Sequence, residues 1–390
     1  MTLKLVAADY GDRPGNSSKR YWDQLAGEFE FQHPGITVDV DVYDWNTIDQ
    51  KVDALVKAGK APDIAQTGSY ADYAAQGKLY PADQLLSIPT QAAFLPALAE
   101  AGQVRRIQYG MPFVASTRVL FYNKDLLAKA GIQDPPETWE ELRSDAAALR
   151  RAGVQVPYAL PLGTEEAQAE TLNWMLSGGG GYTDGVGSYT IDSPENIETF
   201  TWLRDELVGA GLTNKSPSRT DRRAAFDAFT RGDVAMVNGH PTLMQLAQEN
   251  GIRYGTAPLP GKKGPSKATT GVADWIMAFQ RNGHRKEIGE FLDFVYEEKN
   301  VLKFTGQYDL LPVTNSASDT MRSDPAQRKV RPFLDQLPGA KFYPVGKRSW
   351  GATVRALKTS IGSTVERNGD PASVLGSLQR KAGLLENSTP

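Results

Sequence analysis

Strand and helix patterns alternate along the first part of the chain, and this alternation constrains the fold most. Residues 3–7 form an apolar run, residues 36–42 alternate apolar and polar side chains, and residues 63–65 form a third short strand. Apolar side chains recur at helical spacing in the two intervening segments, at Tyr21, Trp22, Leu25 and Phe29 and at Ile48, Val52, Leu55 and Val56. Repeated units of this kind favour a mainly parallel sheet with helices on both faces.

The loops that follow these strands are the first candidate binding segments. In open α/β sheets, ligands bind beyond the carboxyl ends of the strands. This rule indicates three loops, at residues 9–16, 44–46 and 66–73.

Length and composition exclude several classes of function. A chain of 390 residues exceeds one typical core, so we expect two domains. The net charge of −3 gives no electrostatic reason to expect nucleic acid or an anionic membrane. Cysteine is absent, which removes disulfides and thiol catalysis. The histidines at 33, 240 and 284 have no partner at metal-ligand spacing, so we expect neither a metal nor another cofactor.

The stretch Met111–Leu142 carries the most specific pattern in the chain. A short apolar, β-rich run at 119–122 is followed by residues at helical spacing from Leu126, until Gly131 can close the turn. Thr138 and Glu141 then have the spacing of a capping box for a second helix.

This pattern resembles the signature of the extracellular solute-binding proteins of ABC importers, in the carbohydrate-binding, maltose-binding-protein-like branch. The matching residues are Pro112, Phe113 and Val114, then Val119–Leu120–Phe121–Tyr122–Asn123, and Leu127–Ala128–Lys129. A second match begins at Ala61–Pro62–Asp63–Ile64. The resemblance covers nearly the whole chain and is strongest at residues 111–142 and 257–312.

The resemblance implies a periplasmic-binding-protein-like α/β fold. Each of its two lobes would be a mainly parallel sheet flanked by helices, and three chain crossings would form a hinge. The N-terminal lobe would comprise residues 1–111 and 263–312, and the C-terminal lobe residues 115–259 and 316–390. The hinge crossings would lie near residues 112–114, 260–262 and 313–315.

The same resemblance implies a binding function without catalysis. The protein would capture a mono- to oligosaccharide in the cleft between the lobes by Venus-flytrap closure and deliver it to the transmembrane subunits of an ABC permease. We expect a monomer that does not bind nucleic acid. Family behaviour predicts an extracytoplasmic location, either periplasmic or as a cell-surface lipoprotein whose leader and lipidated cysteine are absent from this sequence.

Candidate ligand residues follow from the chemistry of sugars. A pyranose offers C–H faces to aromatic rings and hydroxyls to planar polar groups. Together with the family's pattern, this predicts ligand contacts at Tyr10, Asp12, Trp45, Gln66, Ser69, Tyr70, Ser116, Arg118, Trp174, His240, Asp274, Trp275, Arg348 and Trp350. Trp22, Trp139 and Trp202 lie on predicted helices and are assigned to the core. The maltose binder has an acidic side chain where this chain has Ser116. At residues 66–70 its aromatic and acidic residues are not matched one for one, so its ligand is not carried over.

Two alternatives remain open at this point. The same fold could bind a polyamine, a phosphate ester or an iron complex, although candidate tryptophans without a basic cluster argue against the anionic solutes. An extracytoplasmic glycosidase would need two carboxyls roughly 5 to 9 Å apart, and the pairs Glu140/Glu141 and Glu165/Glu166 are candidates. Neither 178–181 nor 261–264 completes a phosphate-loop pattern, so both glycine-rich segments are predicted turns.

Overall fold

The computed structural model describes residues 1–11, 16–45 and 47–388. These residues form two compact units. Unit 1 comprises Met1–Ser116, Val272–Arg331 and Val345–Arg348, and unit 2 comprises Thr117–Gly271, Pro332–Pro344 and Ser349–Pro390. Two units agree with the number of domains that we expect from the length, whereas the predicted lobe boundaries and hinge crossings stay a prediction.

The first segment of unit 1 alternates strands and helices, and the predicted strands and helices are each present with ends shifted by a few residues. Its elements are β1 (Thr2–Asp9), α1 (Ser18–Gln32), β2 (Thr37–Asp44), α2 (Ile48–Lys57), β3 (Ile64–Thr67), α3 (Ala71–Ala75), α4 (Ile88–Ala93), α5 (Pro96–Ala101), β4 (Gln103–Val104), β5 (Ile107–Gln108) and β6 (Met111–Ser116).

The signature stretch folds as its capping residues predict. Asn123 Oδ1 accepts hydrogen bonds from the backbone N–H groups of Asp125 and Leu126, and both bonds of the capping box between Thr138 and Glu141 are present. The elements from here are β7 (Val119–Asn123), α6 (Lys124–Lys129), α7 (Trp139–Arg151), β8 (Val156–Ala159), α8 (Ala167–Ser177), α9 (Pro194–Trp202), α10 (Arg222–Thr230), β9 (Val234–Gly239), α11 (Thr242–Glu249), β10 (Tyr254–Ala257), β11 (Pro260–Gly261) and β12 (Gly264–Pro265).

The remaining chain contributes to both units. Its elements are β13 (Thr269–Ala278), α12 (Arg285–Val295), α13 (Glu298–Tyr308), α14 (Asn315–Ser323), α15 (Arg331–Leu334), β14 (Ala340–Phe342), α16 (Trp350–Ser360) and α17 (Pro371–Ser388). No helix within the described part of the chain combines the length and apolar character that crossing a membrane requires.

The sheet of unit 1 brings the predicted binding loops to one edge. Its strands follow the order β2–β1–β3–β13, with β1 parallel to both β2 and β3. β13 runs antiparallel to β3 and also to β6, so the sheet is mixed. Trp275 pairs with Thr67 at the end of β3, and this register places Asp274 just beyond that end. The parallel strands β1, β2 and β3 therefore end at one edge, where the end of β3 meets the middle of β13.

The sheet of unit 2 is also mixed. Its order is β10–β7–β9–β8, with β8 parallel to β9 and with β7 antiparallel to β9 and β10. The first three residues of β13 pair in parallel with β14. The signature strand β7 is central and buried, which accounts for its continuous apolar run.

Candidate functional site

In unit 1, candidate ligand residues converge on Tyr10, directly after β1. The Tyr10 hydroxyl donates a hydrogen bond to Asp274 Oδ2 (2.7 Å) and accepts one from Gln66 Nε2 (3.0 Å). Gln66 is fixed in turn because its Oε1 accepts a bond from the backbone N–H of Ala8 (3.1 Å). The sheet thus joins residues that are 264 positions apart in the chain.

An aromatic surface accompanies these polar groups. The ring of Tyr10 packs edge-on against Trp45, with centroids 5.3 Å apart, and also contacts Phe304 and Tyr308. Trp45 remains half-buried. We call Tyr10, Trp45, Gln66 and Asp274 the Tyr10 cluster.

The electrostatics of the Tyr10 cluster are acidic. Burial raises the pKa of the Asp274 carboxyl to about 7, against the lowering effect of the Tyr10 hydrogen bond and with a further rise from the charge of Asp49. Burial also raises the pKa of Asp49, opposed by a hydrogen bond from Thr67. Neither carboxyl has an ion pair among the described residues. A ligand that donates hydrogen bonds to Asp274 would stabilise its ionised form.

The substitution Asp274→Asn tests this electrostatic picture. Because the pKa of Asp274 is raised in the folded protein, folding favours its protonated form. That contribution to stability is complete below the unfolded value near 4 and is lost as the pH rises through about 7. We expect the melting temperature of wild type to decrease relative to that of Asp274→Asn as the pH is raised from about 5 to about 8. Parallel pH profiles for the two proteins would contradict the raised pKa.

In unit 2, the candidates Arg118 and His240 belong to a network of ion pairs. Arg118 Nη2 lies 2.8 Å from Glu166 Oε1. Arg222 Nη2 lies 2.6 Å from Glu165 Oε1, and its Nε lies 2.6 Å from Glu166 Oε2. Arg222 Nη1 is also 3.1 Å from His240 Nε2. We call these five residues the Arg222 cluster.

The charges of the Arg222 cluster balance. Two guanidinium groups face two carboxylates, and Lys358 and Asp221, which both bind the backbone of Glu165, add one charge of each sign. Burial, together with the charges of Arg118 and Arg222, lowers the pKa of His240 well below its ordinary value, so the ring is neutral.

Trp350 lies in an aromatic stack of unit 2. It stacks on Tyr343, with centroids 5.7 Å apart, and also contacts Tyr182. Trp350 is 6% exposed, whereas Tyr343 is half-buried. The hydroxyl of Tyr343 is buried, and Gln168 lies beside it. Burial and the nearby Glu166 carboxylate raise the pKa of Tyr343, which places it beside the Arg222 cluster.

Three predicted ligand residues lie inside the cores of their units. Trp174 is 2% exposed and packs among Trp139, Trp202 and Tyr158. Trp275 and Tyr70 are each 1% exposed and contact one another in the core of unit 1. Their ring surfaces are covered by other side chains, so we leave them out of the proposed site.

The four other predicted residues are not members of either cluster, and one of them lies outside the described chain. Ser69 is exposed, and its backbone N–H binds Thr67. Ser116 is half-buried at the end of β6. Arg348 forms an ion pair with Asp72 (3.2 Å). Asp12 lies outside the described residues, so its predicted ligand contact stays a prediction.

Sequence reasoning missed Arg222, Tyr343 and the role of Glu165 and Glu166. The sequence analysis found no basic cluster, whereas the structure brings Arg118 and Arg222 together in the Arg222 cluster, where carboxylates neutralise them. Arg222 is 57 positions from Glu165, and no local pattern connects residues so far apart. The same ion pairs involve Glu165 and Glu166, one of the two carboxylate pairs considered for a glycosidase, and Glu141 of the other pair belongs to the capping box. Within the described residues, no group of histidine and acidic side chains could hold a metal ion.

Comparison with known proteins identifies the family. A model of the bacterial extracellular solute-binding protein family matches residues 15–301, which is more than half of the chain. A binding protein of Brucella abortus (strain 2308) is 28% identical over 389 residues, covering 98% of this chain and 93% of the relative. An sn-glycerol-3-phosphate-binding periplasmic protein of Salmonella typhimurium is 27% identical over 346 residues, covering 82% and 75%.

The fold comparison agrees with this match. The crystal structure of the cyclic alpha-maltosyl-1,6-maltose binding protein from Arthrobacter globiformis superposes with a TM-score of 0.85 at 17% identity, covering 100% of both chains. The predicted periplasmic-binding-protein-like fold is confirmed. The chain therefore belongs to the bacterial extracellular solute-binding protein family, as the substrate-binding component of an ABC importer rather than an enzyme.

Proposed function

We propose that the transported solute is a mono- to oligosaccharide and that the Tyr10 cluster of unit 1 and the Arg222 cluster of unit 2 both contribute contacts to it. One observation supports this proposal: aromatic side chains lie in or beside both clusters of polar groups, and neither cluster has a surplus of positive charge. The bound sugar would be delivered to the transmembrane subunits of the permease.

The Tyr10 cluster combines an aromatic face with hydrogen-bond acceptors, the two features that bind one sugar ring. The half-buried indole of Trp45 supplies an apolar face, and Asp274 supplies carboxylate oxygens that can accept hydrogen bonds from adjacent hydroxyls. Gln66 and Tyr10 hold the carboxylate in place. Such a preorganised polar group beside an aromatic plane is typical of a site for a neutral, hydroxyl-rich ligand.

The Arg222 cluster adds donors and acceptors without net charge. Arg118 and Glu166 present planar groups that match pairs of hydroxyls, and the neutral ring of His240 offers one further polar atom. The aromatic pair Tyr343 and Trp350 lies beside them.

A phosphate ester is the second candidate, because one relative binds sn-glycerol 3-phosphate and because Arg118 and Arg222 lie together. A dianionic phosphate requires a surplus of positive charge. In unit 2 both guanidinium groups are already paired with carboxylates, and in unit 1 Asp274 and Asp49 add negative charge. The charge balance therefore favours the sugar.

Contacts from Asp12, Ser69, Ser116 and Arg348, closure of the domains, the monomeric state and a lipid anchor stay predictions. We also propose an extracytoplasmic location, which agrees with the family's description.

A thermal-shift screen tests the proposed ligand class. Mono-, di- and trisaccharides, sn-glycerol 3-phosphate and polyamines are added separately, and calorimetry gives the affinity of each hit. A ligand that binds only the native state raises the melting temperature. At a hundredfold excess over Kd it increases the free energy of unfolding by about 3 kcal/mol. We expect one sugar series to raise it and the charged solutes to leave it unchanged. A rise with the phosphate ester and none with sugars would replace our proposal with the second candidate.

A further inference from the structure

The contact between Arg222 and His240 fixes which ring nitrogen of His240 carries the proton. A guanidinium group has hydrogen-bond donors and no acceptor. Arg222 Nη1 lies 3.1 Å from His240 Nε2, so Nε2 must accept, and the proton of the neutral ring resides on Nδ1. In a doubly protonated ring, the Nε2–H group would point at the Arg222 guanidinium, which is unfavourable because both groups are positively charged.

Arg222 is itself held from several sides. Glu165 Oε1 and Glu166 Oε2 each lie 2.6 Å from its guanidinium group, which also sits 5.1 Å over the ring of Phe226. Phe226 contacts His240 as well, with ring centroids 5.2 Å apart. These contacts leave the guanidinium little rotational freedom, so its direction toward His240 is set by the fold.

The second nitrogen of the His240 ring remains available. Within residues 1–11, 16–45 and 47–388, no hydrogen bond involves Nδ1. His240 is half-buried and directly follows the end of β9, where ligand residues of such sheets are expected. The charged groups that face the ring are Arg118 and Arg222, with Glu165 and Glu166 behind them.

We infer that Arg222 is a positioning residue for the solute: it holds His240 as a neutral ring whose Nδ1–H donates a hydrogen bond to an acceptor oxygen of the ligand. This inference rests on the proposed function, because it takes His240 to contact the bound sugar. It assigns the ligand an ether or hydroxyl oxygen at this point. Arg222 acts through His240 and needs no contact of its own.

Nitrogen NMR of histidine-labelled protein tests the tautomer without ligand. The chain has only three histidines, so the variants His33→Gln and His284→Gln assign the His240 signals. We expect the Nδ1–H pattern in wild type at neutral pH and up to about pH 8. In Arg222→Met, no donor fixes Nε2 as an acceptor, so the His240 ring should sample both tautomers. The variant also lacks one positive charge beside the ring, so the ring should take up a proton more readily as the pH falls. Arg231→Met removes an exposed arginine that directly follows the same helix, and this variant should leave the signals unchanged.

Calorimetry with the sugar found in the thermal-shift screen tests the link to binding. We expect Arg222→Met to weaken binding by about tenfold at neutral pH and to make it pH-dependent. In a His240→Ala background, the same substitution should cause no further loss. His240→Asn places an amide donor near the position of Nδ1 and should bind better than His240→Gln, whose donor lies near the position of Nε2.

The outcomes separate the two proposals. If no sugar raises the melting temperature of wild type, the proposed function fails, whatever the NMR shows. If a sugar binds but the wild-type ring carries its proton on Nε2, the positioning role is overturned alone. Equal losses from Arg222→Met in the wild-type and His240→Ala backgrounds would likewise show that Arg222 acts independently of His240.

Discussion

Replacing Glu170 with leucine is expected to lower the free energy of unfolding by roughly 3 to 5 kcal/mol. Glu170 is 5% exposed on α8, and its Oε1 accepts hydrogen bonds from the Tyr158 hydroxyl (2.9 Å), Trp174 Nε1 (2.8 Å) and Asn238 Nδ2 (3.0 Å). Leucine is similar in size but accepts none of them, so three buried donors would lose their partner, at about 1 to 3 kcal/mol each. Urea unfolding measures the loss.

The substitution Glu170→Gln is the matched variant. Burial raises the pKa of Glu170 to about 7, although the donors around it act in the opposite direction. Its contribution to stability is therefore complete below the unfolded value near 4.5 and is lost as the pH rises through about 7. Glutamine keeps an acceptor oxygen and carries no charge. The free energy of unfolding of Glu170→Gln should increase relative to that of wild type by about 3 kcal/mol as the pH is raised from about 5 to about 8.

Two observations would contradict this account of Glu170. One is a difference between Glu170→Gln and wild type that does not change with pH. The other is a loss in Glu170→Leu no larger than that in Glu100→Leu, which makes the same chemical change at an exposed position.

Replacing Trp45 with alanine is expected to weaken sugar binding by about tenfold to a hundredfold, or roughly 1.4 to 2.8 kcal/mol. Trp45 is the half-buried ring of the Tyr10 cluster, and its partner Tyr10 is already bonded to Asp274. Removing the indole deletes the apolar face on which we propose that a pyranose stacks. Calorimetry measures the loss of affinity.

Trp202→Ala provides the control for Trp45→Ala. Trp202 is also half-buried, but it packs on Trp139 and Trp174 within unit 2. We expect this variant to lower the melting temperature while the affinity for the sugar stays as in wild type. Unchanged affinity in Trp45→Ala, or equal losses in the two variants, would remove Trp45 from the proposed site.

The sequence predicts the local elements of this fold well because their signals are local. The period of two at residues 36–42, the helical spacing in α1 and α2, and the capping box at Thr138 each act over a few residues. The strand-end rule also accounts for the contact between Tyr10 and Gln66, because parallel strands end at a common edge, whereas their contact with a ligand stays a prediction.

The sequence does not predict all of the tryptophans that are buried in the core. Trp275 was expected at the ligand, yet it is 1% exposed, whereas its neighbour Asp274 is half-buried. The register of β13 shifts between these two residues, so alternation along the strand does not predict which of them is covered. Local sequence also cannot link Arg222 to Glu165 and Glu166, since only the packing of α10 brings them together.

The balance of charge in the Arg222 cluster has a kinetic consequence. Long-range attraction accelerates the capture of a charged solute and weakens as dissolved ions shorten its reach. Opposite charges that lie less than 3 Å apart leave little field at the distance from which a solute approaches. A neutral sugar would therefore be captured at a rate set by diffusion and orientation, and that rate would stay the same in dilute and in saline surroundings.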